Sequence, residues 1–182
     1  MKRKIGVYIC YCGSNIGGYL DVKKATEFAS TLPHVTVARD YLFMCSDPGQ
    51  DLIKKDIKEL GLNGVLVCSC TPTIHLRTFR EACAEAGLNP YLCEMATIRE
   101  FSSWVHSHDR EAATEKAMAL IAAGVRRVLY PKPLEVKWAP VNPSTLIVGA
   151  GIAGIQAALE IAKTNNKVYL VEKEPSIGGR MA

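Results

Sequence analysis

Four short apolar runs punctuate the first 130 residues: "KIGVYIC" (4–10), "VTVARDYLF" (35–43), "NGVLVCSC" (63–70) and "NPYLCEM" (89–95). They are rich in β-branched and aromatic residues, and Gly, Pro, Asn or Asp bound most of them, so they predict strands. Between them apolar residues recur at helical spacing in "DVKKATEFASTL" (21–32), "DPGQDLIKKDIKELG" (47–61) and "TPTIHLRTFREACAEAG" (71–87), and again after the fourth run in "REAATEKAMALIAAGVRRVL" (110–129). Asp21 is placed to cap the first helix. In the second, Asp47 caps, Pro48 takes the first helical position and Gly61 stops the helix. Strands alternating with helices predict an α/β fold, a mostly parallel sheet with helices flanking both faces.

The periodicity lapses in "PKPLEVKWAPVNP" (131–143), whose four prolines mark a linker. It resumes as strand, glycine turn, helix and strand in "STLIVGAGIAGIQAALEIAKTNNKVYLVEKEPSIGGRMA". The expected organisation is an α/β domain over 1–130, a proline-rich linker over 131–143, and over 144–182 the first βαβ unit of a Rossmann-type domain. One such unit is too small to close a core. The chain is therefore expected to be the N-terminal part of a longer protein, or to need a partner to complete its second domain.

Composition narrows the function classes. With 48% hydrophobic and 22% charged residues in 182, the chain reads as a globular protein. Its net charge of +4 is not gathered into a basic run or interleaved with aromatics, so nucleic acid is not an expected partner. No apolar stretch is long enough to span a bilayer, and the apolar part of "MKRKIGVYICYCG" is too short and too broken by cysteine for a signal peptide. A cytoplasmic location with no membrane association is expected.

Seven cysteines are many for such a chain, and in a reducing compartment they point to metal or redox chemistry rather than disulfides. On the predicted elements Cys10 and Cys12 lie just past the first strand, Cys45 past the second, and Cys68 and Cys70 at the end of the third. All fall at the carboxyl edge of the sheet, where ligands of open parallel sheets bind. Cys93 is expected to face the same neighbourhood, and Cys83, in mid-helix, the core. Converging thiols with no histidine pair at finger spacing leave a zinc site, an iron–sulfur cluster or plain buried thiols open. Ligands spread over separate strand–helix units, with Gly13, Ser46 and Gly49 leaving backbone N–H groups free, suit a cluster best. His106 and His108, in "WVHSHD", read as a polar surface turn.

"VGAGIAG" places Gly149, Gly151 and Gly154 directly after a strand and at the start of a helix, and "VYLVEK" puts Glu172 at the end of the next strand. With both strands flanking it, this fingerprint is strong for a dinucleotide. Gly149 makes the turn, Gly151 admits the pyrophosphate, Gly154 lets helix and strand pack, and Glu172 accepts from the ribose. The candidate nucleotide-binding set is Gly149, Ala150, Gly151, Ala153, Gly154, Glu172 and Lys173, with Gly179 and Arg180 of "GGRMA". A second glycine pair soon after the acid favours FAD over NAD.

The segments "GVYICYCG", "CSDPGQDLIK", "CTPTIHLRTFR", "EAGLNPYLCEMATIRE", "SSWVH" and "VGAGIAGIQAALEIA…VEKEPSIGGRMA", in this order, resemble the N-terminal part of the heterodisulfide reductase A subunits, iron–sulfur flavoproteins of methanogens and related anaerobes. The resemblance implies that Cys10, Cys12, Cys45 and Cys70 ligate a [4Fe–4S] cluster, and that Cys68, Cys83 and Cys93 do not. It implies FAD as the dinucleotide in the complete protein, which splits electron pairs at its flavin. The partners it implies are the other heterodisulfide reductase subunits, ferredoxin, and an electron-donating hydrogenase or dehydrogenase subunit. It assigns no catalytic residue to this stretch. The competing expectation is a docking domain with a cysteine zinc site and a non-binding Rossmann stub.

Overall fold

The computed structural model describes residues 3–182. The chain divides into two compact units, Met1–Glu135 and Val136–Ala182.

In the first unit, β1 (Ile5–Cys10), β2 (Val35–Tyr41), β3 (Gly64–Ser69) and β4 (Cys93–Thr97) form an all-parallel sheet in the order β2-β1-β3-β4. This is the α/β architecture that the alternation of strand and helix predicts. Every residue of the central strands β1 and β3 is buried, as the unbroken apolar runs require, whereas the edge strand β2 is half-exposed throughout. The helices are α1 (Ser14–Gly17), α2 (Val22–Thr31), α3 (Asp47–Leu60), α4 (Pro72–Glu85) and α5 (Arg110–Val128). Asp21 caps α2 through Lys24 N, and Gly61 ends α3 in the left-handed region at φ 61°. The α3 cap differs from expectation. Ser46 is the N-cap and Asp47 already sits in the first turn, because the Ser46 hydroxyl donates back to Phe43 O and closes the turn one residue earlier.

Strand alternation sorts the core into two layers. Ile5, Val7, Ile9, Leu66 and Cys68 pack with α2 and α5, while Tyr8, Cys10, Val65 and Val67 pack with α3 and α4. Within the second layer the Asp56 carboxylate, 1% exposed, receives Arg39 Nε at 2.6 Å, Arg39 Nη2 at 2.9 Å and the Tyr8 hydroxyl at 3.2 Å, locking α3 to β1 and β2. The chain runs outward from β1 to β2 and outward the other way from β3 to β4. The crevice between the carboxyl ends of β1 and β3 is therefore the topological switch point of the sheet.

Two departures shape the site. The segment expected to be a strand over 89–95 begins as a 3₁₀ turn (Pro90–Leu92), because the Asn89 side chain accepts from Tyr91 N and Pro90 presets the turn, so β4 starts only at Cys93. After β4 the chain enters a π-helical turn (Arg99–Ser103) that periodicity does not announce.

The second unit has β5 (Thr145–Val148), α6 (Ile152–Ala162) and β6 (Val168–Val171), with β5 and β6 parallel. Leu146, Val148, Ile152, Leu159, Tyr169 and Val171 are all exposed, and Ala150 is its only fully buried hydrophobic residue. Residues 132–143 are exposed and carry no regular structure. Among the described residues no helix is long and apolar enough to cross a membrane.

Candidate functional site

The crevice at the switch point holds the cysteines. Cys10 is the last residue of β1, Cys12 follows it, Cys45 sits in the turn before α3, and Cys70 is the first residue past β3. All four line one cavity of about 70 Å³, together with Phe43, Ser69, Ile74, His75, Phe79 and Arg99. Neither aspartate nor glutamate lines it, so the donor set is soft.

The local backbone is arranged around the sulfurs. The Cys12 and Met44 N–H groups donate to Cys10 Sγ at 3.2 and 3.4 Å. Cys12 adopts φ 46°, the left-handed region that a side chain with Cβ rarely enters, and this places it beside Gly13 at φ 57°. Gln50 Nε2 donates to Cys45 O at 2.9 Å and ties that turn to α3. The Ser69 hydroxyl is buried with no oxygen or nitrogen partner, and its neighbour is the Cys70 sulfur. Burial pushes the Cys10 thiol up to about 11, against the opposing pull of the Met44 and Cys12 N–H groups. Burial also raises the Cys70 thiol, partly offset by the Arg99 charge. Burial thus favours the protonated form of both sulfurs.

The other three cysteines lie elsewhere. Cys68 points into the α2–α5 layer, one residue out of phase with Ser69, and complete burial raises its thiol. Cys83 is in the core, as expected. Cys93 does not reach the carboxyl edge: the delayed start of β4 pairs it with Val65 at the opposite end of the sheet, where it contacts Cys83. Among the described residues no three His, Cys, Asp or Glu side chains are gathered tightly enough to share a single metal ion. Arg99, which sequence reasoning did not single out, does reach the site: Nη1 stands 3.6 Å from Cys12 Sγ. Its signal was a cation directly after the fourth strand, on the same sheet edge as the cysteines.

The glycine turn of the second unit joins β5 to α6. Gly149 has φ 99°, and its N–H donates to Val171 O at 2.7 Å. A Cβ on Gly154 would stand 1.9 Å from Gly149 O, whereas one on Gly151, the α6 N-cap, would meet nothing within 4 Å. That side of the α6 N-terminus is open. A cavity of about 470 Å³ is lined by Gly149, Glu172, Lys173 and Gly179 together with Val148, Val171 and Glu174. Ala150, Gly151, Ala153, Gly154 and Arg180 are not among its lining residues. Glu172 is already engaged: it accepts from Ala150 N at 2.7 Å, Lys173 N at 2.8 Å and Glu174 N at 3.1 Å, and these N–H groups, Glu174's first, hold its carboxyl below the usual range. A second bridge, Gly178 N to Ala150 O at 2.7 Å, folds the second glycine pair onto the first.

Residues 147–182 match the model of the NAD(P)-binding Rossmann-like domain family. Over its whole length the chain is 56% identical to a protein of Archaeoglobus profundus described as like the heterodisulfide reductase A subunit, of which it covers 26%. It is 54% identical to the iron-sulfur A subunit of the CoB–CoM heterodisulfide reductase of Methanocaldococcus jannaschii, again over its whole length and 28% of that protein. To the A subunit of the H(2):CoB-CoM heterodisulfide,ferredoxin reductase of Methanothermobacter marburgensis it is 52% identical over 99% of its length, covering 27% of the relative. The matched region is the N-terminal part of each, so the resemblance read from the motifs holds along the chain, which spans about a quarter of these relatives' length.

Proposed function

We propose that this chain, matching the N-terminal quarter of heterodisulfide reductase A subunits, is the electron-transfer head of such an oxidoreductase component. In this reading residues 1–130 hold one [4Fe–4S] cluster on Cys10, Cys12, Cys45 and Cys70, residues 131–143 link, and residues 144–182 open an FAD site. The observation that carries it is the gathering of four thiols, from the carboxyl ends of three different strands and the loops that follow them, around one cavity. A zinc ion would need its sulfurs at about 2.3 Å from one centre, hence within about 4 Å of one another. A cubane binds each thiolate at a different corner, which suits the looser grouping. When bound, such a cluster supplies one-electron transfer. The residues present hold and insulate it: Phe43, Ile74 and Phe79 wall the cavity, and the Cys12 and Met44 N–H groups stabilise charge on Cys10 Sγ.

In the second unit Gly151 and the start of α6 would receive the pyrophosphate, with Gly149, Ala150, Ala153 and Gly154 shaping the turn. Glu172 holds that turn through Ala150 N while keeping lone pairs for a ribose hydroxyl, and Lys173, Gly179 and Arg180 lie around the entrance. The expected partners are the remaining heterodisulfide reductase subunits, ferredoxin and a hydrogenase or dehydrogenase subunit, in the cytoplasm, where seven free thiols persist.

Anaerobic reconstitution tests the reading. Four irons and four sulfides per chain are expected, with broad visible absorbance bleached by dithionite. Ala at Cys10, Cys12, Cys45 or Cys70 should lower or abolish iron, and Cys83→Ala should not. A colourless protein with stoichiometric zinc, or Cys45→Ala with full iron and an unchanged reduced-state EPR signal, would overturn it.

A further inference from the structure

Arg99 opens the π-turn after β4 and carries its guanidinium to the Cys12 side of the cavity, with only 16% of the side chain exposed. It is held on two sides. Nε and Nη2 donate to Glu100 Oε1 at 3.2 and 2.8 Å, and the Trp104 ring lies 4.6 Å from the guanidinium carbon. The turn itself is clamped. Ser103 Oγ donates to Asn15 O at 2.7 Å, in α1 just after Cys12 and Gly13, Ser102 Oγ to Ala113 O at 2.6 Å in α5, and Ile98 N to Ser69 O at 2.9 Å. A π-turn with this many ties is a rigid mount, and such turns recur at functional sites. Glu100 is less fully engaged: its second oxygen, Oε2, is buried with no partner.

We propose that Arg99 is a positioning residue for electron transfer, its fixed positive charge stabilising the reduced form of the centre held by Cys12 and Cys70, with Glu100 as the opposing charge that limits the effect. This rests on the cluster reading above. Reduction adds one electron and no bond to the protein forms or breaks, so the centre gains one negative charge. An N–H donor and a cation in partly dry surroundings favour that charge, and an adjacent carboxylate disfavours it. The two neighbours therefore act with opposite signs on one equilibrium, which a merely structural role would not produce.

The test is a dithionite titration of the reconstituted 182-residue chain, followed by EPR, on wild type and three variants. Iron content of the wild type is read first; a chain that takes up none overturns the cluster reading itself, whatever the variants do. With iron present, Arg99→Met should move the midpoint potential to a more negative value, Glu100→Gln to a more positive one, and Arg99→Lys should lie between wild type and Arg99→Met. Opposite shifts support the proposal. Arg99→Met with full iron and the wild-type midpoint, or both charge-removing variants shifting the same way, overturns it. If Arg99→Met fails to load iron, Glu100→Gln decides, and a midpoint there that is unchanged or lower overturns the proposal.

Discussion

Replacing Asp56 by Ala removes the buried carboxylate that ties α3 to the strands beneath the cysteines. Tyr8 is 0% exposed, so its hydroxyl loses its partner with no water to replace it, at about 1–3 kcal/mol. The Arg39 side chain is 44% exposed, so the guanidinium rehydrates, and loss of its two-pronged bond is taken at the low end, about 1.5 kcal/mol. The sum is about 3 kcal/mol, at the lower bound for breaking a buried ion pair from one side. For a unit of this size that lowers Tm by about 10 °C. Urea denaturation of the metal-free chain at neutral pH under reducing conditions, followed by far-ultraviolet circular dichroism, measures it. The decisive variant is the double one: adding Tyr8→Phe to Asp56→Ala removes the orphaned hydroxyl and should restore about 1–2 kcal/mol. A loss below about 1 kcal/mol for Asp56→Ala, or a further loss on adding Tyr8→Phe, would refute the reasoning.

Gly154→Ala places a Cβ 1.9 Å from Gly149 O and should collapse the glycine turn, seen as lost amide protection confined to 144–182, whereas Gly151→Ala, with nothing within 4 Å, should leave that protection intact; equal effects would contradict the division of labour. Burial raises the Tyr8 hydroxyl and the Cys68 thiol, and the hydrogen bond with Cys83 followed by burial raises the Cys93 thiol, above their ordinary values of 10.0 and 9.0, so above those values the folded chain holds more protons than the unfolded one and the metal-free protein loses stability as pH rises. Tyr8→Phe and Cys68→Ala should each flatten that alkaline decline, and a midpoint urea concentration that stays level from about pH 8 to about pH 10.5 would count against it. Trypsin should cut first at Lys137, in the exposed stretch 132–143, leaving a stable N-terminal product; first cuts between 60 and 100 would contradict the proposed division into domains.

The parallel sheet was legible because β1 and β3 are unbroken apolar runs and because caps such as Asp21 and Gly61 are local signals. Cys10 and Cys70 were legible as neighbours because both follow central strands of a parallel sheet. Cys68 and Cys93 were harder. Whether Cys68 faces the cavity or the opposite helices depends on strand phase, and its exclusion came from the family resemblance rather than from spacing. Cys93 was misplaced because Asn89 and Pro90 spend three residues on a 3₁₀ turn, and turn chemistry of that kind shifts a strand start without changing its hydrophobic pattern. Arg99 escaped notice because its position depends on a π-turn, which has no periodicity to read, and on tertiary ties from Ser102 and Ser103.

The order of strands across the sheet also governs when, during synthesis, a site can exist. Cys10, Cys12 and Cys45 leave the ribosome well before Cys70, and Arg99 later still, yet the cavity needs β1 and β3 side by side and the turn after β4 in place. A nascent chain stalled just before residue 70 carries four thiols, three of them on candidate ligands, and no enclosure for them. The interval between translation of Cys10 and docking of the π-turn is then the period of greatest exposure of these thiols to oxidants and stray metal, and on the proposed reading a cluster would be delivered only once the first unit is complete.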